Sequence, residues 1–261
     1  MPTGAVQSET YVVQFTAVLR HSFGQLVRAP SHSHRKEAAR KLARHTLLLT
    51  AIFSACIIAL MVFLDAQEIA LMPARGTPAL WPVRIFTDFG KDEYVLWLLA
   101  AILIVIAFVS PALAATPRAR WLHFGTRVQY LFLAVLVPVL AAEVIKWAVG
   151  RGRPFVGGKA NAFIFAPFTG TEPYFSFPSA HAVTGFALAF AVGAVWPRAR
   201  PWMLLYAVLI AASRLLLLAH HPSDVVAGAL VGILGAMAVR YWFAARQLGF
   251  AIHNDGKIVP L

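Results

Sequence analysis

Long apolar runs separated by short polar clusters set the pattern of this chain. A helix crosses the hydrocarbon core of a bilayer with about 20 predominantly apolar residues. Six stretches approach that length: 46–66, 94–115, 128–149, 181–196, 202–219 and 224–244. The fourth is the shortest and follows directly on a polar cluster. Two larger loops interrupt the runs. The first, 67–93, holds Pro73, Pro78 and Pro82 with Trp81, Phe86 and Phe89, a mixture that predicts a short interfacial helix. The second, 150–180, is rich in Gly, Pro and Phe. No second domain is marked. Residues 1–45 read as a basic cytoplasmic segment, 46–248 as one all-α bundle of six transmembrane helices, and 249–261 as a cytoplasmic tail. Within the basic segment, 11–28 fits an amphipathic helix on the inner membrane surface and a disordered tail equally well.

Composition sharpens the membrane reading. The 261 residues are 59% hydrophobic and 13% charged, about half the charge of an ordinary soluble domain. A formal net charge of +12 in a soluble protein would suggest nucleic acid. Here the charges flank apolar runs and no nucleic-acid motif accompanies them, so topology and anionic headgroups account for the excess. With the N-terminus inside, 15 of the 23 Lys and Arg fall on the inner side, which favours cytoplasmic N- and C-termini. The other eight, Arg75, Arg84, Lys91, Lys146, Arg151, Arg153, Lys159 and Arg214, gather around the outer ends of the spans. Cys56 has no partner for an intrachain disulfide and reads as a small hydrophobe. The first long run starts too deep in the chain for a secretory signal, and no small-residue cleavage site follows it.

Three polar clusters carry chemistry. Lys146 ends the third run and Arg153-Pro154 follows after six residues; by itself this fits interfacial cations snorkelling to headgroups. Pro178-Ser179-Ala180-His181 precedes the fourth run. Ser179 has the character of an N-cap, and free N–H groups at a helix N-terminus bind phosphate. The third cluster is Ser213-Arg214, then His220-His221-Pro222-Ser223-Asp224. Arg214 stands within an apolar stretch, where a charge belongs against a bundle interior or an anion rather than lipid. His220 and Asp224 are four residues apart and, if helical, lie on one face within hydrogen-bonding reach. Asp224 also suits a cap for the sixth helix. Three cations, a serine, two imidazoles and a carboxylate on one membrane face fit phosphoryl transfer. No metal-binding or nucleotide-binding motif appears, so no metal or other cofactor is expected.

These clusters resemble the signature of the type 2 phosphatidic acid phosphatase (PAP2) superfamily: K-x6-RP, then PSGH, then SR-x5-H-x3-D. Lys146, Arg153 and Pro154 match the first block; Pro178, Ser179 and His181 the second; Ser213, Arg214, His220 and Asp224 the third. The likeness covers roughly the last two thirds of the chain. It implies that His220 attacks phosphorus and becomes phosphorylated, with Asp224 orienting it. His181 protonates the leaving group and then activates water. Lys146, Arg153, Ser179, Ala180 and Arg214 hold the phosphoryl oxygens. Ala180 replaces the family glycine: its N–H survives, but its Cβ restricts the backbone and crowds the phosphate. Spacing from Ser213-Arg214 selects His220 over His221. Arg151 and Lys159, outside the signature, read as solvated loop charge. Glu143, one turn before Lys146, pairs with it or shields it. The segment 87–91 reads as an ordinary polar turn more readily than as a headgroup contact.

The implied activity is metal-independent hydrolysis of a lipid phosphate monoester or diphosphate at the outer face of a bacterial inner membrane. Candidate substrates are undecaprenyl diphosphate, phosphatidylglycerol phosphate, phosphatidic acid and lipid A phosphate. Expected partners are that lipid substrate and membrane lipids, not nucleic acid. The alternatives are a lipid phosphotransferase using the same site and a non-enzymatic transporter of anionic lipids.

Overall fold

The computed structural model describes residues 10–157 and 161–261. Helices dominate it: α1 (Tyr11–Val27), α2 (Arg35–Phe63), α3 (Asp65–Leu71), α4 (Trp81–Thr87), α5 (Asp92–Val109), α6 (Ala115–Val149), α7 (Ala180–Val195), α8 (Arg200–Leu216) and α9 (Pro222–Ala245). Strands β1 (Phe250–Ile252) and β2 (Ile258–Pro260) close the chain as an antiparallel pair.

Among the described residues five helices, α2, α5, α6, α8 and α9, are long and apolar enough to cross a membrane. The fourth expected span is α7, a shorter apolar helix of 16 residues. At 1.5 Å per residue α7 reaches about 24 Å, short of a hydrocarbon core of about 30 Å. Its position explains why it can be short. It packs between α6, α8 and α9, and Ala182, Val183, Gly185, Ala187, Ala191 and Ala194 are all buried. A helix enclosed by other helices has its surroundings set by protein rather than by lipid thickness. By contrast α2 is peripheral, with 6% of its apolar window buried against 67% for α9. Cys56 on α2 is free and exposed.

Small residues bring α7 and α9 together. Gly228 and Gly232 stand one turn apart on α9. A Cβ on Gly228 would lie 2.6 Å from the Ser179 carbonyl oxygen and 2.8 Å from Ala182 Cβ, and one on Gly232 would collide with the Val183 carbonyl oxygen. Close backbone approach through small residues four apart is a recurring way for helices to associate in membranes. The Ser179 N–H donates to the Asp224 carbonyl at 3.0 Å, so the two helix starts are tied to each other.

Several boundaries differ from the sequence expectation. The basic residues ahead of the first run are not separate from it: α2 begins at Arg35. At 35 residues α6 is about 52 Å long, well beyond the membrane core, because Ala115–Arg127 continues the helix ahead of the apolar run. Of the two readings of 11–28, the helix is the one found. Tyr11 donates to the Phe108 carbonyl at 2.6 Å, and Phe15 stacks on Phe108 at 4.9 Å between centroids. The last residues are no loose tail. Phe250 and Ile252 are buried, and the Tyr130 ring meets Phe250 edge-on at 4.8 Å. Lys41 pairs with Asp255 at 3.3 Å. The all-α reading therefore holds with the addition of one short hairpin.

Gly232→Ala is expected to destabilise the fold by about 1–3 kcal/mol through overpacking and to shift α7, and the site at its start, away from α9. Thermal unfolding in detergent, compared with Ala229→Gly on the same helix, checks this.

Candidate active site

The polar residues singled out in the sequence lie where helix ends meet. Lys146 is in the last turn of α6, and Gly150 closes that helix with φ 55°, its N–H returning to the Lys146 carbonyl at 2.9 Å. The chain then forms a narrow turn-back: Gly152 N–H donates to the Ile164 carbonyl at 2.8 Å and Ala166 N–H to the Gly150 carbonyl at 2.7 Å. This places Arg153 beside Glu172, with an ion pair of 3.0 Å. Ser179 is the N-cap residue of α7, and Ala180 and His181 are in its first turn. Arg214 lies in the last turn of α8. His220 stands in the connection to α9, and Asp224 in the first turn of α9.

These groups share one neighbourhood. Arg214, Lys91, Lys146 and Arg153 all lie within electrostatic range of His181. Arg214, Arg153 and His181 do the same for His220. Burial, followed by the charges of Arg214 and Arg153, holds the His220 imidazole well below its ordinary pKa. It is therefore neutral near pH 7. Its Nδ1 lies 2.8 Å from the Ser176 carbonyl oxygen. A carbonyl only accepts, so Nδ1 carries the proton and Nε2 keeps its lone pair. That is the tautomer a nucleophile needs.

The carboxylate expected to set this tautomer does not touch the ring. Asp224 Oδ2 is 3.9 Å from His220 Nδ1, because residues 217–221 are not helical and the two side chains do not stack along one helix face. Instead Asp224 receives the Ser176 hydroxyl at 2.5 Å and the His221 N–H at 2.9 Å on Oδ2, and Arg151 Nη1 at 2.6 Å on Oδ1. The bond from the His221 N–H is the helix cap anticipated for Asp224. His221 is fully buried at the N-cap of α9.

Arg151 is the largest departure from the expectation of a solvated loop charge. It has 0% exposure, as do Asp65 and Asp224, and pairs with both, at 2.8 Å to Asp65 Oδ2 and 2.6 Å to Asp224 Oδ1. Its remaining donors reach the Ala162 carbonyl and the Ser223 hydroxyl. An arginine with every donor used can sit in a low-dielectric interior. Asp65 also accepts from the Ser223 N–H at 3.1 Å. Lys159, given the same loop reading, lies outside the described residues.

Segment 87–91 is likewise more than a polar turn. Thr87 is buried and its hydroxyl meets Arg214 Nη1 and Ser213 Oγ, each at 2.9 Å. A Cβ on Gly90 would lie 3.4 Å from His181 Cδ2, so the segment after α4 walls the site. Asp88 and Lys91 form an ion pair on its outside. Glu143 pairs with Lys146. Ala180 takes an ordinary helical conformation, so its Cβ imposes no backbone strain there.

Three buried polar atoms at the centre, Ser179 Oγ, His181 Nε2 and Arg214 Nε, have no hydrogen-bond partner among the described residues. Together with the free N–H groups opening α7, they provide donors for a phosphoryl group next to a neutral imidazole. Sequence reasoning missed Asp65, Thr87, Arg151 and Ser176. Of these only Asp65, at the end of the first apolar run, falls under the intramembrane default for charge.

Comparison with known proteins bears on the family of the chain. The sequence model of the PAP2 superfamily matches residues 127–248. The chain is 30% identical over 208 residues to a lipid A 1-phosphatase of Rhizobium johnstonii, covering 76% of this chain and 84% of that protein. It is 32% identical over 178 residues to a lipid A 1-phosphatase of Rhizobium etli, covering 66% and 75%. A protein of Escherichia coli strain K12, provisionally named an undecaprenyl-diphosphatase, is 26% identical over 185 residues, 68% and 81% of the two chains. No solved structure matches the chain significantly.

Arg151→Met is expected to cost about 3–5 kcal/mol, since it leaves two buried carboxylates without their cation. Arg84→Met, on an exposed side chain, is expected to change stability by less than about 0.5 kcal/mol. Thermal unfolding of the two variants side by side checks the contrast.

Proposed function

Because the chain belongs to the PAP2 superfamily, we propose that it is a six-span membrane lipid phosphatase that hydrolyses a lipid-linked phosphate through a phosphohistidine on His220. The observation that carries the reading is the pairing of a neutral His220, with Nε2 free of its proton, and donors on Ser179, His181 and Arg214 that the protein leaves unused. Lys146, Arg153 and Arg214 hold the dianion, while the Ser179 hydroxyl and the Ala180 and His181 N–H groups complete the oxygen contacts. His220 Nε2 forms a bond to phosphorus as the bond from phosphorus to the lipid oxygen breaks. That oxygen takes a proton from His181. In the second step His181 removes a proton from water, the water oxygen bonds to phosphorus, and the phosphorus–Nε2 bond breaks to release inorganic phosphate. Guanidinium and ammonium groups carry the charge stabilisation, so the reaction is expected to proceed in EDTA.

The likeness to two lipid A 1-phosphatases over two thirds to three quarters of this chain favours the 1-phosphate of lipid A as substrate. Undecaprenyl diphosphate is the second reading, resting on the weaker likeness to the Escherichia coli protein. In this proposal both termini are cytoplasmic and the site opens to the periplasmic side of a bacterial inner membrane. There a lipid enters from the bilayer while its phosphate stays in the polar layer.

Phosphate release by purified protein from lipid A, undecaprenyl diphosphate and phosphatidylglycerol phosphate tests the assignment. Turnover of lipid A should exceed that of the others, and His220→Ala should reduce kcat by at least about a thousandfold. A phosphorylated acceptor without free phosphate would make the protein a phosphotransferase instead. Substrate movement that survives His220→Ala would make it a transporter.

The acid limb follows from the sign of the His220 shift. The native ring holds its proton more weakly than a free histidine, so the nucleophile stays neutral as pH falls through 6.5. Loss of kcat/KM through protonation of His220 is expected only well below pH 6.5. A pH–rate profile under conditions of constant folded fraction checks this.

A further inference from the structure

Asp65 is the only residue of the buried ion-pair cluster that lies ahead of residue 127, where the family match begins. It is contributed by α3, directly after α2, and meets Ser223 across 158 positions of sequence. Such a contact needs a reason, because burying a second carboxylate beside Asp224 is unfavourable on its own. A single guanidinium can neutralise one carboxylate. Arg151 serves two, so the unit of Asp65, Arg151 and Asp224 retains one negative charge out of contact with water. Glu68, 4% exposed on the same short helix, adds none near pH 7: burial, then the charges of Asp65 and Asp224, raise its pKa to about 8.

The unit is mechanically continuous with His220. The Arg151 carbonyl accepts the Ser176 N–H at 3.1 Å. The Ser176 hydroxyl donates to Asp224, and the Ser176 carbonyl accepts from His220 Nδ1. Arg151, Ser176 and Asp224 thus form a closed ring from which the imidazole hangs. When His220 Nε2 takes the phosphoryl group, Nδ1 keeps its proton and the ring becomes cationic. A fixed negative charge behind it stabilises that state more than the neutral ground state.

We propose, resting on the phosphohistidine reading above, that Asp65 and Ser176 are positioning residues: Asp65 supplies the surplus negative charge of the buried cluster and Ser176 couples that cluster to the nucleophile. The role is distinct from scaffolding. A scaffold loss lowers the amount of folded protein, whereas this role lowers the rate per folded molecule and the amount of phosphoenzyme.

The test uses full-length protein in detergent with lipid A carrying ³²P at the 1-position. The wild type is compared with Asp65→Asn, Asp65→Glu, Ser176→Ala and His220→Ala. Folded fraction comes from thermal unfolding, and base-stable phosphoenzyme from rapid quench. Asp65→Asn and Ser176→Ala should each lower kcat per folded molecule about tenfold or more, with KM within about twofold. Steady-state phosphoenzyme should fall in parallel, and Asp65→Glu should recover part of the rate. Wild-type kcat and phosphoenzyme per folded molecule in either variant would overturn the proposal while leaving the phosphohistidine intact. If Asp65→Asn does not fold, Ser176→Ala, which deletes one hydroxyl and keeps the carbonyl, decides alone. Absence of any label on an active wild type would instead sink the phosphohistidine reading itself.

Discussion

A guanidinium with no access to water, gripped by two equally buried carboxylates, is the constraint on which the site end of this bundle depends. Removing one carboxylate-sized ion from water is expensive, and the attraction of a partner compensates only when geometry is good and the remaining donors are used. Arg151 meets both conditions, with Asp65, Asp224, Ser223 and the Ala162 carbonyl around it. These partners come from α3, from the loop between α6 and α7, and from the start of α9. Lipid offers no hydrophobic drive to hold such ends together, since the tails are as apolar as the helices. Polar contacts in the rim therefore fix what the apolar faces leave free, and Gly228 and Gly232 let α7 and α9 approach closely enough for the rim to close.

Much of this was legible in the sequence, for definite reasons. Apolar runs have one stable form in a bilayer, so the six segments correspond to α2, α5, α6, α7, α8 and α9. The candidate site residues were legible because their spacing is local: Ser179 and His181 share one helix start, and Ser213-Arg214 and His220 bracket one turn. What the spacing misjudged was the turn itself. His220 and Asp224 are four apart, yet the chain leaves the helix after Leu216 and Leu218 takes a positive φ of 47°. The ring therefore finds a carbonyl rather than the carboxylate.

The remainder was illegible because it is made of long-range contacts. Asp65 and Ser223 are 158 residues apart and Thr87 and Arg214 127 apart; no periodicity connects them. Arg151 read in the sequence as the same solvated loop charge as Lys159, and only tertiary placement reveals a guanidinium enclosed by two carboxylates. The C-terminal hairpin escaped notice for a related reason. Residues 250–252 are too few to show alternation, and they are ordered by packing on Tyr130, whose ring Phe243 also meets, rather than by their own propensity.

These contacts divide the polar groups around the candidate site into two populations. Arg151, Asp65 and Asp224 direct their polar atoms at one another, at the Ser176 and Ser223 hydroxyls or at the backbone, and they have little left to offer a ligand. Ser179, His181 and Arg214 keep a buried donor or acceptor atom without a partner among the described residues. Both groups occupy the same low-dielectric neighbourhood, where an unsatisfied polar atom is costly. A fold retains such atoms when a ligand completes them, and a phosphoryl group offers enough oxygens to satisfy all three. The satisfied population makes this possible. Donors held rigidly before the ligand arrives need little reorganisation when it does, and that rigidity comes from the ion-paired rim. Binding strength at the phosphate and stability of this end of the bundle are thus two consequences of one arrangement. A change to the buried cluster should be felt in both, whereas a change to the unsatisfied atoms should be felt in ligand binding alone.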